Sequence, residues 1–421
     1  MITDILYRCP SCGSFDWMDG SRCIACSATV NVISRTQVEI SGERNTIAHW
    51  YRKILSFELP ADDSRTILNS GRVILSREAT EGVYRGFAGV VATRYTRAVS
   101  DEGSVCLKTD SLRFSGAKET LELPLEDIAA VTIESNTIIL TSRAHGILFF
   151  DFLEESGKKW EDCIRRCLAL FHAPRQIYEY YPRLRFEDGL RNRPARAKGH
   201  LDLNVPSKKW YALDTSLLLP VVRLIARPVI RALFSVDIKG LENIPKSGAA
   251  VLLSNHTSFM DSLILGVFPR RNIWFMAKNS EYKGKLLTWA LRHARSFPVR
   301  RYTNDVQAVR NAIRVVRQGH ILGIYPEGER TWDNSLLPFR DGTMRLVLAL
   351  GMPVIPVGIS GAYELMPRWT SSLKRSPVRI RIGPPVRFDH IPVPKQTNKD
   401  ISEAARILQA HIISLATGES H

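Results

Sequence analysis

From residue 248 to residue 361 the sequence alternates short apolar runs with stretches patterned for one-faced helices. That rhythm confines the second half of the chain to few folds. "GAAVLLSNH", "NIWFMAK", "GHILGIYPEG" and "GMPVIPVGISG" read as strands, and "NDVQAVRNAIRVVRQG" between the second and third is apolar at helical spacing. Apolar strands linked through helices predict an α/β fold, a mainly parallel sheet flanked by helices. The run "MPVIPVGISG" holds two prolines, which cannot donate to a ladder, so it reads as an edge or irregular strand.

The first half is patterned differently. From Leu59 to His172, "GVVATRYTRAV", "SVCLKTDSLRFSG", "ETLELPLEDIAAVTIES" and "NTIILTSRAHGILFFDF" follow one another as short alternating strands with Asp-Glu-Gly, Ser-Gly and Ser-Asn turns. "ESGKKWEDCIRRCLALF" then places Trp160, Ile164, Leu168 and Phe171 near helical spacing. Antiparallel strands closed by one amphipathic helix resemble the GRAM and pleckstrin-homology-like fold over residues 59–172. Such folds bind lipid head groups or proteins. The acids here argue against a phosphoinositide site and for a partner-docking or scaffold role. Residues 173–209, rich in Pro and charge, read as a linker to a domain spanning 210–421.

Cys9, Cys12, Cys23 and Cys26 form two Cys-x-x-C pairs, "CPSC" and "CIAC", separated by ten residues. Two such knuckles can wrap one tetrahedral ion, and zinc is the default for four thiolates. Residues 1–34 therefore read as a zinc ribbon in which the metal supplies stability to a unit with almost no core of its own. A disulfide pair or redox site does not predict two matched pairs. Cys106, Cys163 and Cys167 show no ligand spacing, and unpaired thiols beside a thiolate site point to a reducing, cytoplasmic compartment.

Lys+Arg 58 against Asp+Glu 42 gives a net charge of +16, which favours acidic partners. The excess is local: residues 270–317 hold twelve Lys/Arg and two acids, whereas 100–162 is rich in acids. Nucleic acid is a poor candidate, because no aromatic and basic stacking pattern accompanies the cysteines. No signal peptide is read at "MITDILYRCP", and no run reaches eighteen uncharged apolar residues, so an ordinary membrane-spanning helix is not expected. "LDTSLLLPVVRLIARPVIRALF" puts Arg223, Arg227 and Arg231 at i, i+4 and i+8 on an otherwise apolar cylinder. Residues 213–235 are thus expected to form amphipathic helices in a membrane interface, cations toward lipid phosphates, broken in two by Pro220 and Pro228. A buried helix whose arginines pair with acids is the other reading.

"NHTSFMD" sets His256 and Asp261 five residues apart. On a regular helix five residues turn roughly 500°, leaving the side chains about 140° apart, so contact between them requires a turn. Such a turn brings a carboxylate to one ring nitrogen and leaves the other for chemistry. "FPVRR", "YPEGER" and "VIPVGI" follow in that order.

These blocks, in this order, resemble the glycerophospholipid acyltransferase family of the lysophosphatidic-acid acyltransferase type, over residues 214–390. The resemblance implies transfer of a fatty acyl group from a thioester, acyl-coenzyme A or acyl-carrier protein, to the hydroxyl of 1-acylglycerol-3-phosphate. His256, with an unperturbed pKa near ~6.5, would act as general base and Asp261 would orient and stabilise it. By the family's pattern Arg301 and Arg330 grip the acceptor phosphate, with Glu327 and Gly328 shaping the same site. Where many relatives carry Asp before the second-block arginine, this chain has Arg300; where many carry Thr or Ser in the third block, it has Glu329. The expected protein is a peripheral or monotopic enzyme on the cytoplasmic face of a membrane. Glycerol 3-phosphate or another lysophospholipid is the rival acceptor, and an inactive lipid- or partner-binding scaffold the rival class.

Overall fold

The computed structural model of the chain describes residues 2–19, 21–60, 65–175, 218–282, 284–301, 305–391 and 396–418. Residues 176–209, the body of the expected linker, and 213–217 of the expected interfacial helices lie outside them.

A small hairpin, β1 (Met18–Asp19) and β2 (Arg22–Cys23), stands between the two cysteine pairs. β3 (Val30–Val32), β4 (Gln37–Ile40) and β5 (Glu43–Thr46) form an antiparallel sheet, and α1 (Ile47–Ser56) follows with Thr46 as N-cap. The sequence reading leaves 35–58 unassigned. Trp50 of α1 is buried there, in a core shared with Leu6, Trp17, Phe150 and Trp160. The cysteine segment is therefore packed against its neighbour rather than coreless.

Two long strands, β6 (Thr66–Arg85) and β7 (Val91–Lys108), dominate the next region, where short strands were expected. With β8 (Ser111–Gly116), β9 (Thr120–Pro124), β10 (Ile128–Glu134), β11 (Thr137–Ser142) and β12 (Gly146–Phe152) they form an antiparallel sheet of order β10-β11-β12-β6-β7-β8-β9. α2 (Gly157–His172) buries Trp160, Ile164 and Leu168 against it. The expected turn at Asp-Glu-Gly is instead an interior stretch of β7. Asp101 takes the amide N–H groups of Lys118 and Glu119 at 2.7 and 3.0 Å, and a Cβ at Gly103 would meet Ser115 O at 2.2 Å. That glycine permits close strand approach, not reversal.

The far end of the β6–β7 hairpin leaves its own sheet. Tyr84, Phe87 and Val90 join the core formed by the second half of the chain, with Trp274, Phe297 and Val315.

α3 (Leu218–Phe234) is one helix, not two. Pro220 falls in its first turn, where the missing N–H has no carbonyl to serve, and Pro228 forfeits a single rung. The second sheet comprises β13 (Asp237–Lys239), β14 (Ala250–Ser254), β15 (Ile273–Lys278), β16 (Ser296–Val299), β17 (Ile321–Ile324), β18 (Val354–Ser360) and β19 (Arg379–Ile382). Its order is β13-β19-β18-β14-β17-β15-β16, parallel except for the β18–β19 pair. The helices α4 (Met260–Val267), α5 (Gly284–His293), α6 (Val306–Arg317), α7 (Asp341–Leu350), α8 (Ala362–Leu365) and α9 (Asn398–Thr417) complete it. β18 is interior despite Pro356. Pro356 O accepts from Gly383 N at 2.9 Å, so the ring nitrogen faces the same side, just past the end of β19, and no rung with β14 is lost.

Candidate active site

β14, β15, β16 and β17 run parallel, so their carboxyl ends open on one edge, where α/β sheets commonly hold ligands. β14 leads to His256, β15 ends at Lys278, β16 leads to Arg300 and Arg301, and β17 leads to "YPEGER".

Between His256 and Asp261 the chain passes through an irregular loop before α4 starts at Met260. That turn closes the gap. His256 Nδ1 lies 3.0 Å from Asp261 Oδ2, which also accepts the N–H groups of Thr257 and Ser258, both at 2.8 Å. A carboxylate with two amide donors in place is set to take a proton-bearing Nδ1, leaving Nε2 as the acceptor. Both residues are buried. Burial pushes the His256 pKa down to about 4; Asp261 opposes the shift, and Arg301 and Arg330 reinforce it. The imidazole is accordingly neutral at pH 7, further below its ordinary value than the sequence suggests.

Arg301 and Arg330 both lie close enough to lower that pKa, and among the described residues neither guanidinium has a hydrogen-bond partner. Burial lowers both to about 10, so both remain cationic. Two partly desolvated cations without a hydrogen-bonded acid, beside a neutral imidazole, can receive an anion.

Glu327, expected on the acceptor, spends its oxygens on the backbone: Oε1 accepts His256 N at 2.7 Å and Oε2 accepts Leu337 N at 2.9 Å. Burial pushes its pKa up to about 8 while those two N–H groups pull it down. It is a strut that ties the YPEGER turn to the His256 backbone. Gly328 has φ +75°, and a Cβ there would meet Arg340 Nε at 2.4 Å. Arg340 donates through that nitrogen to Glu327 O at 2.8 Å. Asn255 fixes the β14 end by pairing its amide with both backbone groups of Ile359, at 2.8 and 2.9 Å.

Sequence reasoning missed Tyr325, Lys278, Arg340 and Arg368. Tyr325 lies on the His256 ring, and its position directly before Pro-Glu-Gly could have flagged it. Lys278 ends an expected strand, which was also a usable signal. Arg340 and Arg368 stand outside every block and carry none.

Two charge expectations change. Arg223 and Arg227 do not face outward: they donate to the carbonyls of Gly266, Val267, Phe268, Pro269, Arg270 and Arg271 at 2.9–3.3 Å, capping the end of α4. The outward face of α3 is apolar instead, with Leu224 76% and Ile225 63% exposed. Within the basic 270–317 region, Lys278 and Arg300 turn toward acids of the antiparallel half, Glu134 and Glu78.

Residues 235–360 match the family model described as Acyltransferase. That stretch contains His256, Asp261, Arg301, Glu327, Gly328 and Arg330. The chain is similar to the 1-acyl-sn-glycerol-3-phosphate acyltransferase BAT2, chloroplastic, of Brassica napus, 29% identical over 170 residues, 39% of this chain and 49% of that protein. The 1-acyl-sn-glycerol-3-phosphate acyltransferase of Bacillus subtilis is 26% identical over 162 residues, 37% of this chain and 78% of that protein. The solved structure of the 1-acyl-sn-glycerophosphate (LPA) acyltransferase PlsC from Thermotoga maritima aligns with 47% of this chain and 80% of its own, at 26% identity and a TM-score of 0.39. The chain spans about half the length of the Brassica relative.

Near the start of the chain, Cys9 and Cys26 Sγ are 3.8 Å apart, Cys12 and Cys23 Sγ 3.7 Å, and all four sulfurs lie within 4.8 Å of one another. Four thiolates about 2.3 Å from a tetrahedral zinc put their sulfurs about 3.8 Å apart. Donor set and spacing both fit zinc. Cys163 and Cys167 are buried in α2, away from this cluster. Among the described residues no helix is long and apolar enough to cross a membrane.

Proposed function

We propose that the chain is a 1-acylglycerol-3-phosphate O-acyltransferase that forms phosphatidate from an acyl thioester and lysophosphatidate. One observation carries the reading: a neutral imidazole, oriented by a buried carboxylate, opens beside two unmatched guanidinium groups. A base for an alcohol and a grip for its phosphate stand together.

The acceptor phosphate lies between Arg301 and Arg330, which can each offer two N–H donors. His256 Nε2 takes the proton of the acceptor hydroxyl as its oxygen attacks the thioester carbonyl. The imidazolium is stabilised by Asp261. Collapse of the tetrahedral intermediate breaks the C–S bond, and the departing thiolate takes the proton from Nε2. No covalent acyl-enzyme forms, and each cycle returns the imidazole to its neutral state. The bound phosphate offsets the two cations that depress the His256 pKa, so acceptor binding itself strengthens the base.

Residues 1–34 act as a structural zinc site through Cys9, Cys12, Cys23 and Cys26. Residues 59–172 form a pleckstrin-homology-like unit, a reading supported by the seven-strand order and the closing helix. The apolar outer face of α3 lies in a membrane interface, on the side of a reducing compartment.

The test is product analysis by lipid mass spectrometry. Purified protein is offered a panel of lysophospholipids and glycerol 3-phosphate with acyl-coenzyme A or acyl-carrier protein. Phosphatidate should dominate, and His256→Ala should abolish it with the circular dichroism spectrum unchanged. Full activity in that variant overturns the mechanism; preference for glycerol 3-phosphate overturns the acceptor.

A further inference from the structure

The chain neighbour of each of these arginines reaches the antiparallel half of the molecule, Arg300 through direct hydrogen bonds and Glu329 through an ion pair added to its bonds with Arg340 and Arg368. Arg300, before Arg301, donates from Nε to Glu78 Oε1 of β6 at 3.2 Å, bonds Glu78 Oε2 through Nη2, and lies 4.2 Å above the Tyr95 ring of β7. Glu329, before Arg330, accepts from Arg368 at 2.6 Å and Arg340 at 3.0 Å, and lies 3.7 Å from Arg165 Nη2 of α2. Arg368 also donates to Arg330 O at 2.9 Å and to Ile133 O of β10. A third contact repeats the pattern: Lys278 Nζ is 2.5 Å from Glu134 Oε2, which Arg97 and Ser280 also approach at 3.3 Å. Arg300 and Glu329 are the two positions at which this chain departs from the block pattern it resembles.

Repulsion explains the need for such anchors. Arg301 and Arg330 stand on different strand ends, both partly desolvated, and without an anion between them they push apart. Arg301 follows β16, a four-residue edge strand with one ladder partner. The hairpin that carries Glu78 and Tyr95 is itself bonded to β16 and α6. Tyr84 Oη donates to Ser296 O at 2.6 Å, Thr93 N to Gln307 Oε1 at 3.0 Å, and Asn311 Nδ2 to Val91 O at 2.8 Å.

We propose that the antiparallel module is a working part of the acceptor site. Glu78 and Arg165 are positioning residues that fix Arg300 and Glu329 and so hold Arg301 and Arg330 at the separation that grips a lysophospholipid phosphate. Glu134 does the same for Lys278. This rests on the acceptor reading above and assigns specificity to residues that never touch the substrate.

The experiment compares wild type with Glu78→Gln/Arg165→Met, using lysophosphatidate and a monoacylglycerol, which lacks the phosphate. The double variant should raise the KM for lysophosphatidate about tenfold with kcat and the donor KM little changed, the signature of lost uniform binding. Transfer to monoacylglycerol should be unaffected. The exchange Glu78→Arg/Arg300→Glu should restore most of the loss seen with Glu78→Gln alone. An unchanged KM in the folded double variant overturns the proposal, as does an equal loss on both acceptors. If the double variant fails to fold, Glu78→Gln and its charge exchange carry the test, and failure of rescue overturns it. Absence of transfer to any lysophospholipid by the wild-type chain refutes the acceptor reading instead.

Discussion

The Tyr325 ring lies against the His256 imidazole, centroids 3.9 Å apart and 12° from parallel, and its hydroxyl meets Ser262 Oγ at 2.9 Å. Phe275 stacks behind it at 6.0 Å. The imidazole is thus held on one edge by Asp261 and on one face by an aromatic pair, which fixes its plane and keeps water from it. Tyr325→Phe should keep kcat within a few-fold, because stacking survives the loss of one hydroxyl. Tyr325→Ala frees the ring to tilt, and misplacement of a base by about 1 Å can cost about 100-fold. Steady-state kinetics on the two variants decide it; equal losses would assign the effect to the hydroxyl rather than to the stack.

The acid limb of activity should lie well below the ordinary histidine range. Burial and two neighbouring cations push His256 down to about 4, and the base works only when deprotonated, so lowering its pKa extends activity toward acid pH. Inactivation of the free protein by diethyl pyrocarbonate, which modifies neutral imidazole, should still be near its plateau at pH 6. With phosphate bound between Arg301 and Arg330 the limb should move up, because the depressing charges are offset. Half-maximal modification near 6.5 in the free protein would contradict this electrostatic account.

How much of this was legible in the sequence follows from the range of the interactions. The parallel sheet, the closing helix α2 and the His256–Asp261 contact were readable, because periodicity and block order record local geometry. Arg368 was not: its partners, Glu329 and Ile133 O, are 39 and 235 residues away in the chain. Glu327 was misplaced because its spacing is the same whether it points at an acceptor or at the His256 amide. Arg223 and Arg227 of α3 were turned the wrong way because an amphipathic pattern gives two faces without saying which meets protein. Carbonyl groups at the end of α4 decided it, and carbonyls leave no mark in sequence. The basic 270–317 run and the acidic 100–162 run were noticed separately. Lys278 with Glu134 shows that the two runs also meet each other.

Removal of the metal should loosen the whole first half of the chain, not only its knuckles. Trp17, Trp50 and Trp160 share one core with the cysteine segment, so a loss at the thiolates propagates to α2. Cys12 is exposed, and Cys12→Ser removes a ligand without opening a cavity. The variant should hold less zinc by elemental analysis and melt lower by more than about 5 °C, with tryptophan emission shifting red. Full zinc content with an unchanged melting temperature would remove the metal from the fold's energetics.

α3 should carry membrane association through its apolar face rather than its charge. Leu224 and Ile225 point outward, with Val221 and Val229 also exposed, while Arg223 and Arg227 are occupied by carbonyls of the α4 end. Burying one such side chain in lipid is worth about 1.5–3 kcal/mol, so Leu224→Glu/Ile225→Glu should weaken vesicle binding at least about tenfold. The substituted side chains are mostly exposed, so activity toward a short-chain, water-soluble lysophosphatidate should survive. Because carbonyls occupy Arg223 and Arg227 and only Arg231, exposed and lying over the Phe268 ring, is left to face phosphate, vesicle binding by α3 should depend only weakly on salt and on anionic lipid content. Sedimentation with neutral and anionic vesicles at two ionic strengths separates the alternatives. Undiminished binding in the double variant moves the membrane contact elsewhere. Strong salt dependence lost in Arg223→Gln would instead return the arginines to the lipid surface.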